Sequence, residues 1–361
     1  MLRNNIKKIE LEITSDCNAA CPGCARTLNV GKYKIKSFGL KEIQRIFPLK
    51  ENIQGKMFKF CGVLGDPAKN FEMVDMIDYL TENNAYCEVS TNGGIQSADW
   101  WARLGEISRA RPGLVHVHWC VDGFKETNHI YRVNTSYKII DRNMVAFAEN
   151  ASEGSGQWVY IVFDHNEYEL DAAYNRAKEL GFTFSTRTGM RNSYNEWMSN
   201  IQKRDKATKK INTENYIITT TGKKEHSKIK EIEELDKFIE SSSTKQLSEE
   251  QIKEVTDTIV CKFVHEGEIF IASNLTVWPC CFLWDSTIRN KDGILDKLNS
   301  FDLNWNSLIY YNIDEIISHP WYTEVLESSW NPYHNKHVSR CIRTCAKNKA
   351  YHNEFTKIST E

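Results

Sequence analysis

The chain has 361 residues, 41% of them hydrophobic and 26% charged, with 46 basic and 48 acidic side chains and a formal net charge of −2. That length suits two or three domains of about 150 residues each, and the composition is that of a water-soluble globular protein. The charge balance gives no electrostatic basis for a nucleic-acid or membrane partner. No apolar run approaches the ~20 residues of a membrane helix, and the alternating start MLRNNIKKIELEI lacks the apolar block of a signal peptide, so a cytoplasmic location is expected.

In chain order, KKIELEI (7–13) alternates apolar and polar residues at period two and reads as a strand. A loop with three cysteines follows. GLKEIQRIFP then sets Leu40, Ile43, Ile46 and Phe47 at helical spacing before Pro48 stops it. The unit recurs as strand 57–63 and helix 71–84, strand 87–91 and helix 98–109, strand 114–123 and helix 136–149, strand 158–163 and helix 169–181, closed by Gly181, and strand 182–187. Six such units in about 190 residues imply a parallel sheet with helical, right-handed crossovers. Periodicity leaves open whether the sheet is doubly wound or barrel-like. In both, chemistry belongs at the carboxyl ends of the strands.

Residues 195–258 change character, being rich in Lys, Glu, Thr and Ser with few aromatics, and read as an insert or bridge with a candidate helix at 228–240. EIFIASNLTVWPCC (268–281) then reads as a hairpin turning at Asn274, with Ile269, Ile271, Val277 and Trp278 as its apolar members.

Cysteine placement carries the functional signal. The chain has 11 cysteines, and without an export signal such cysteines serve as metal ligands or reactive thiols more often than as disulfides. Cys61, Cys87 and Cys120 lie among apolar residues and have the ordinary reading of small buried hydrophobes. Cys17, Cys21 and Cys24 form a Cys-x3-Cys-x2-Cys loop directly after the first strand. Three thiolates on one loop suit three corners of a [4Fe–4S] cluster and leave one iron open for a ligand. The bland alternative is a zinc site with a distant fourth ligand.

With this loop in this position the sequence resembles the radical S-adenosylmethionine (radical SAM) superfamily. The resemblance implies an α/β partial (β/α)6, TIM-like barrel over residues 1–194, the 195–258 bridge, and a small α+β twitch or SPASM-like domain over 259–361. It further implies that SAM binds the open iron, that the reduced cluster cleaves it to a 5′-deoxyadenosyl radical, and that this radical takes hydrogen from a substrate. A reductant such as flavodoxin or ferredoxin would supply the electron. CGVLGDP (61–67) resembles the family's Gly-Gly-Glu-Pro-like motif, with Gly65 and Asp66 in place, Asp replacing Glu. STNG (90–93) resembles its TNG-type segment and offers Ser90 and Asn92. VDG (121–123) and YR (131–132) resemble landmarks of members with a C-terminal extension, so Asp122 and Arg132 are SAM-site candidates. Asn166, in DHN (164–166), falls where adenosine contacts are common. Two positions depart from the pattern. Gly23 stands where an aromatic residue often covers the adenine, and Cys120 stands where a serine often contacts SAM.

Strand four adds an argument from the residues alone. Val115, Val117, Trp119 and Val121 share one face, and His116, His118, Cys120 and Asp122 the other. A strand buried on both faces reads as continuously apolar, so a polar row suggests a ligand cavity. His118, nearer the carboxyl end, is the candidate for substrate binding or proton transfer, against the plain reading of both histidines as satisfied core or rim groups.

The late cysteines, Cys261, Cys280, Cys281, Cys341 and Cys345, resemble a twitch set holding one auxiliary [4Fe–4S] cluster on Cys261, Cys280, Cys341 and Cys345. Neighbours on a strand point to opposite faces, so Cys280 and Cys281 are not expected to share a cluster. A zinc ribbon is the alternative. A fully ligated cluster suits electron acceptance, hence an oxidation of dehydrogenase type. Peptide or protein modification is the second reading; with the first strand near residue 8, a leader-binding domain of the kind such enzymes often carry is expected to be separate. A noncatalytic iron–sulfur or zinc protein is the third.

Overall fold

The computed structural model describes residues 6–187, 249–289, 301–302, 304–331 and 333–346. The expected helix at 228–240 and most of the 195–258 stretch lie outside these residues.

Six parallel strands follow one another in order: β1 (Lys8–Leu11), β2 (Met57–Phe60), β3 (Tyr86–Thr91), β4 (Val115–Cys120), β5 (Gly156–Ile161) and β6 (Thr183–Arg187). Sequence order equals spatial order, so the sheet has no reversal point of the kind that defines a doubly wound fold. With right-handed crossovers throughout, all connecting helices fall on one face, and the sheet is a partial (β/α)6 barrel. The helices Met73–Glu82, Ala98–Ala110, Tyr137–Asn150 and Leu170–Glu179 present one apolar face each to it. The second of them is capped by the Ser97 hydroxyl, which accepts from Trp100 N. Gly181, at φ +69°, ends the turn after the last as the sequence led us to expect.

The two faces of the sheet differ as period two demands. Phe58, Phe60, Val89, Val117 and Trp119 are fully buried under the helices. Lys59, Glu88, His116 and His118 point the other way and are only partly covered. The concave face is thus polar and reachable, in keeping with the alternation read in strand four.

Two features depart from the element bounds read in the sequence. The fifth strand ends at Ile161, two residues before expected. Asn166 takes over the next stretch, donating to Ile161 O and accepting from Phe163 N, and so pulls 162–166 into a turn. The late hairpin is short, β7 (Glu268–Ile271) against β8 (Val277–Trp278), and β7 runs parallel beside β1 as a seventh strand of the main sheet. All four β7 residues are buried, which explains why this strand closes the barrel's edge and does not stand apart. Bridges Thr276↔Ser307 and Ile259↔Ala346 gather the remaining late segments around it.

Candidate functional site

The cysteine loop leaves β1 at its carboxyl end and is held at several points. Asp66 N donates to Asp16 O at 2.9 Å, and Ala20 N to Val133 O at 2.9 Å. Gly65 allows this approach, because a Cβ there would stand 1.9 Å from Thr14 O. Cys24 sits at the start of the short helix α1 (Ala25–Leu28), where its N–H donates to Cys21 O at 3.1 Å. Cys17, Cys21 and Cys24 pack with Ala19, Tyr131, Ile161 and Phe163 in one apolar cluster.

None of these thiols is in a disulfide. Burial raises all three above the usual thiol range, Cys21 to about 11; the charges of Cys21 and Cys24 add to the rise at Cys17, and that of Cys24 to the rise at Cys21. The Arg132 guanidinium opposes the rise at Cys21, its Nη1 lying 3.9 Å from the sulfur. Thiols crowded in this way favour a metal group that stabilises thiolates. Among the described residues no three His, Cys, Asp or Glu side chains converge as for a single metal ion. Three thiols on one loop are a donor set that an iron–sulfur cluster could use.

Around the loop, four expected site residues come together in two pairs. Asp66 is buried, and its carboxylate accepts from Ala68 N, Thr91 Oγ1, Asn92 N and Asn92 Nδ2 at 2.7–3.0 Å. Asn92 Nδ2 also lies 3.7 Å from Cys17 Sγ and 2.9 Å from Asn18 Oδ1. The GDP and TNG segments are thus one clasp at the edge of the cysteine loop. Asp122 is fully buried, accepts from Ile161 N at 2.7 Å, and pairs with Arg132 Nε at 2.6 Å. That pair aims the guanidinium at Cys21.

The other expected residues have different surroundings. Ser90 lies beside His118 in the β3–β4 register. Cys120 lies one step further along β4, its thiol raised by burial. Asn166 is fully buried, and its amide is committed to backbone at Asp122 O, Ile161 O and Phe163 N. Its plain role is to shape the turn that delivers Phe163 to the cluster loop. His118 Nδ1 is 3.5 Å from Glu88 Oε1, and burial lowers its pKa to about 4, with His116, Lys59 and Arg187 adding to the fall against Glu88. It is neutral at physiological pH. The neighbouring carboxylate favours the proton on Nδ1 and leaves Nε2 as an acceptor.

Of the late cysteines, Cys261, Cys280, Cys341 and Cys345 influence one another. Cys341, whose thiol is raised by burial, feels Cys280, Cys261 and Cys345, and Cys280 is raised to about 12 by burial with Cys345 and Cys261 contributing. Val260 N donates to Cys345 O at 3.0 Å, which fixes the two ends of the set side by side. Cys281 faces elsewhere. Burial and then Glu10 raise its thiol, it hydrogen-bonds Glu10, and it adds to the rise at Cys61.

Sequence reading missed the part played by four residues. Asn18 joins the clasp through Asn92 and Gly94. Tyr131 and Phe163, with rings 4.7 Å apart, supply aromatic cover near Cys21 where Gly23 supplies none. Glu12 is fully buried at the end of β1 and accepts from Leu64 N, Ser273 Oγ and Trp284 Nε1 at 2.7, 3.3 and 3.1 Å. A glutamate alternating with Glu10 in a strand was the available signal for the last of these.

No family model and no curated protein sequence matches the chain. Solved structures do. Streptococcus suis SuiB bound to precursor peptide SuiA matches with a TM-score of 0.51 at 12% identity, over 89% of this chain and 66% of that one. SuiB bound to S-adenosylmethionine matches at 0.46 and 13% identity, over 77% and 61%, and BtrN in complex with AdoMet and 2-DOIA at 0.43 and 11%, over 93% and 92%. The chain spans 61% and 66% of those two SuiB chains, less than two thirds of each. The likeness to peptide-bound SuiB is one of fold. Among the described residues no helix is long and apolar enough to cross a membrane.

Proposed function

We propose that this protein is a radical SAM enzyme that oxidises a small substrate, with one SAM-binding and one auxiliary [4Fe–4S] cluster. The observation that carries the reading is the set of three free thiols packed in one cluster at the carboxyl end of β1, flanked by the Asp66–Asn92 clasp and the Asp122–Arg132 pair. Cys17, Cys21 and Cys24 would hold the first cluster, and Cys261, Cys280, Cys341 and Cys345 the second. When bound, the first cluster with SAM supplies a 5′-deoxyadenosyl radical and the second an electron acceptor, a combination suited to dehydrogenation. Arg132, fixed by Asp122, is placed to meet an anionic group beside Cys21 such as a carboxylate. Asp66 has no free acceptor capacity toward a ligand after its four donors, so it acts by orienting Asn92 and Thr91. Tyr131 and Phe163 keep water from the loop. His118, neutral and on the concave face, is the acceptor for a substrate proton.

Anaerobic incubation with SAM, reductant and candidate extracts tests this. A substrate-dependent rise in 5′-deoxyadenosine and a product lighter by two hydrogens are expected. The second reading, peptide modification, draws on the likeness to SuiB, which is described bound to a precursor peptide. A product that is a crosslinked or epimerised peptide would favour it.

A further inference from the structure

Two buried donors stand beside the late cysteines without a regular acceptor. Tyr322 is 4% exposed and Trp330 7%. Neither the Tyr322 hydroxyl nor the Trp330 Nε1–H has a hydrogen-bond partner of normal geometry. An unmet buried donor is costly, and a native interior rarely keeps one without a reason.

Both donors face the cysteine set. Tyr322 lies in the π-helical turn Trp321–Val325, a form rare in proteins and frequent at functional sites. Its ring packs on that of Phe263, two residues after Cys261, with 4.8 Å between centroids. The charges its phenol feels are those of Cys280 and Cys261, which add to burial in holding it well above the ordinary range. Trp330 lines one cavity with Ile259 and His265, which lie on either side of Cys261 in the chain. Val338 N donates to Ser329 O at 2.9 Å, so the Trp330 segment runs beside the start of the helix Ser339–Cys345. Short of a regular bond to the thiol, the Trp330 side chain still favours the charged form of Cys341. Backbone amides converge in the same way, those of Phe263 and Val264 on Cys261 and that of Leu283 on Cys280. A neutral thiol is a weak acceptor, so donors gathered here suit thiolates and sulfides.

We propose that the Tyr322 hydroxyl and the Trp330 N–H donate to the sulfurs of an iron–sulfur cluster held by Cys261, Cys280, Cys341 and Cys345, and so set its reduction potential. The proposal rests on the second cluster of the reading above and assigns the residues that tune it. Hydrogen bonds to the sulfurs are among the protein's controls on such a potential. A reduced cluster carries one more negative charge, so a donor stabilises it more than the oxidised form and raises the potential. That is the direction an electron acceptor needs. Neither residue is a ligand, so each can be changed with all four cysteines in place.

The test is an anaerobic redox titration of the cluster-loaded full chain with dithionite and mediator dyes, followed by electron paramagnetic resonance. SAM added to a parallel sample alters the signal of the first cluster and so identifies that of the second. Tyr322→Phe removes a single oxygen atom, and Trp330→Phe keeps an aromatic ring. Each should retain wild-type iron and sulfide and leave the first cluster unmoved. Each should make reduction of the second cluster about tenfold less favourable, a potential lower by ~59 mV for one electron. An unmoved second potential, an equal shift of both clusters, or loss of the second cluster's iron in Tyr322→Phe overturns the proposal. Tyr322→Phe alone decides if Trp330→Phe does not fold. Iron and sulfide analysis of the wild type separates this failure from that of the reading beneath it. About eight irons per chain with an unmoved potential sinks the tuning role alone, whereas about four irons sinks the second cluster and its tuning together.

Discussion

Glu12 should make the protein less stable as pH rises through neutrality. Burial is the dominant influence on this carboxyl and lifts its pKa from the ordinary 4.5 to about 7, even though Leu64 N, Trp284 Nε1 and Ser273 Oγ favour the charged form. A carboxyl whose folded pKa is raised binds more protons folded than unfolded. Its contribution is therefore complete below about pH 4.5 and is lost as pH climbs through about 7. Between pH 5.5 and 8.5 that loss amounts to about 2 kcal/mol, taking 1.36 kcal/mol per pH unit over the window below the folded pKa. In Glu12→Gln this pH-dependent part disappears. The amide also presents N–H groups to one of its present donors, a constant penalty of about 1 kcal/mol. The assay is urea unfolding of wild type and variant at half-unit steps from pH 5.5 to 8.5, followed by tryptophan fluorescence. The difference between the two curves isolates Glu12 from every other titrating group. The variant should be the less stable protein at pH 5.5 and should equal or overtake the wild type by pH 8.5. A constant difference across the range would refute the reasoning.

Changing Cys17, Cys21 or Cys24 to Ala should each remove about four irons per chain and abolish 5′-deoxyadenosine formation, while absorbance from the auxiliary site persists. Cys280→Ala should lose the auxiliary irons and Cys281→Ala should keep them, because only Cys280 keeps company with Cys261, Cys341 and Cys345; iron and sulfide analysis decides between them. Asp122→Ala leaves Arg132 buried without its 2.6 Å partner and should cost about 3–5 kcal/mol in urea unfolding. SAM affinity should fall in the fraction that folds, as Arg132 is no longer held toward Cys21.

Much of the barrel was legible because its strands are short, regular and alternating. MFKF and VHVHWC show one apolar and one polar face in the sequence, and those faces became the convex and concave sides of the sheet. The cysteine loop was legible from spacing alone. Features that depend on long-range pairing were hidden. The EIFI strand reads as half of a hairpin, yet it lies parallel to KIEL, some 260 residues earlier in the chain. Local pattern carries no information about such a partner. Asn166 resembled a ligand-binding residue at the end of a strand, but its amide proved to be fully engaged with backbone. Glu10 and Glu12 read as the polar half of an alternating strand. They are buried because β7 and the helix Cys281–Arg289 cover that side, which only the assembled fold reveals.

The most direct test of the account is reductive SAM cleavage by the purified, anaerobically reconstituted protein, read as 5′-deoxyadenosine by mass spectrometry. We expect dithionite-dependent 5′-deoxyadenosine from the wild type and none from Cys21→Ala. Iron-loaded wild-type protein that forms no 5′-deoxyadenosine, or equal formation by the Cys21→Ala variant, would contradict it.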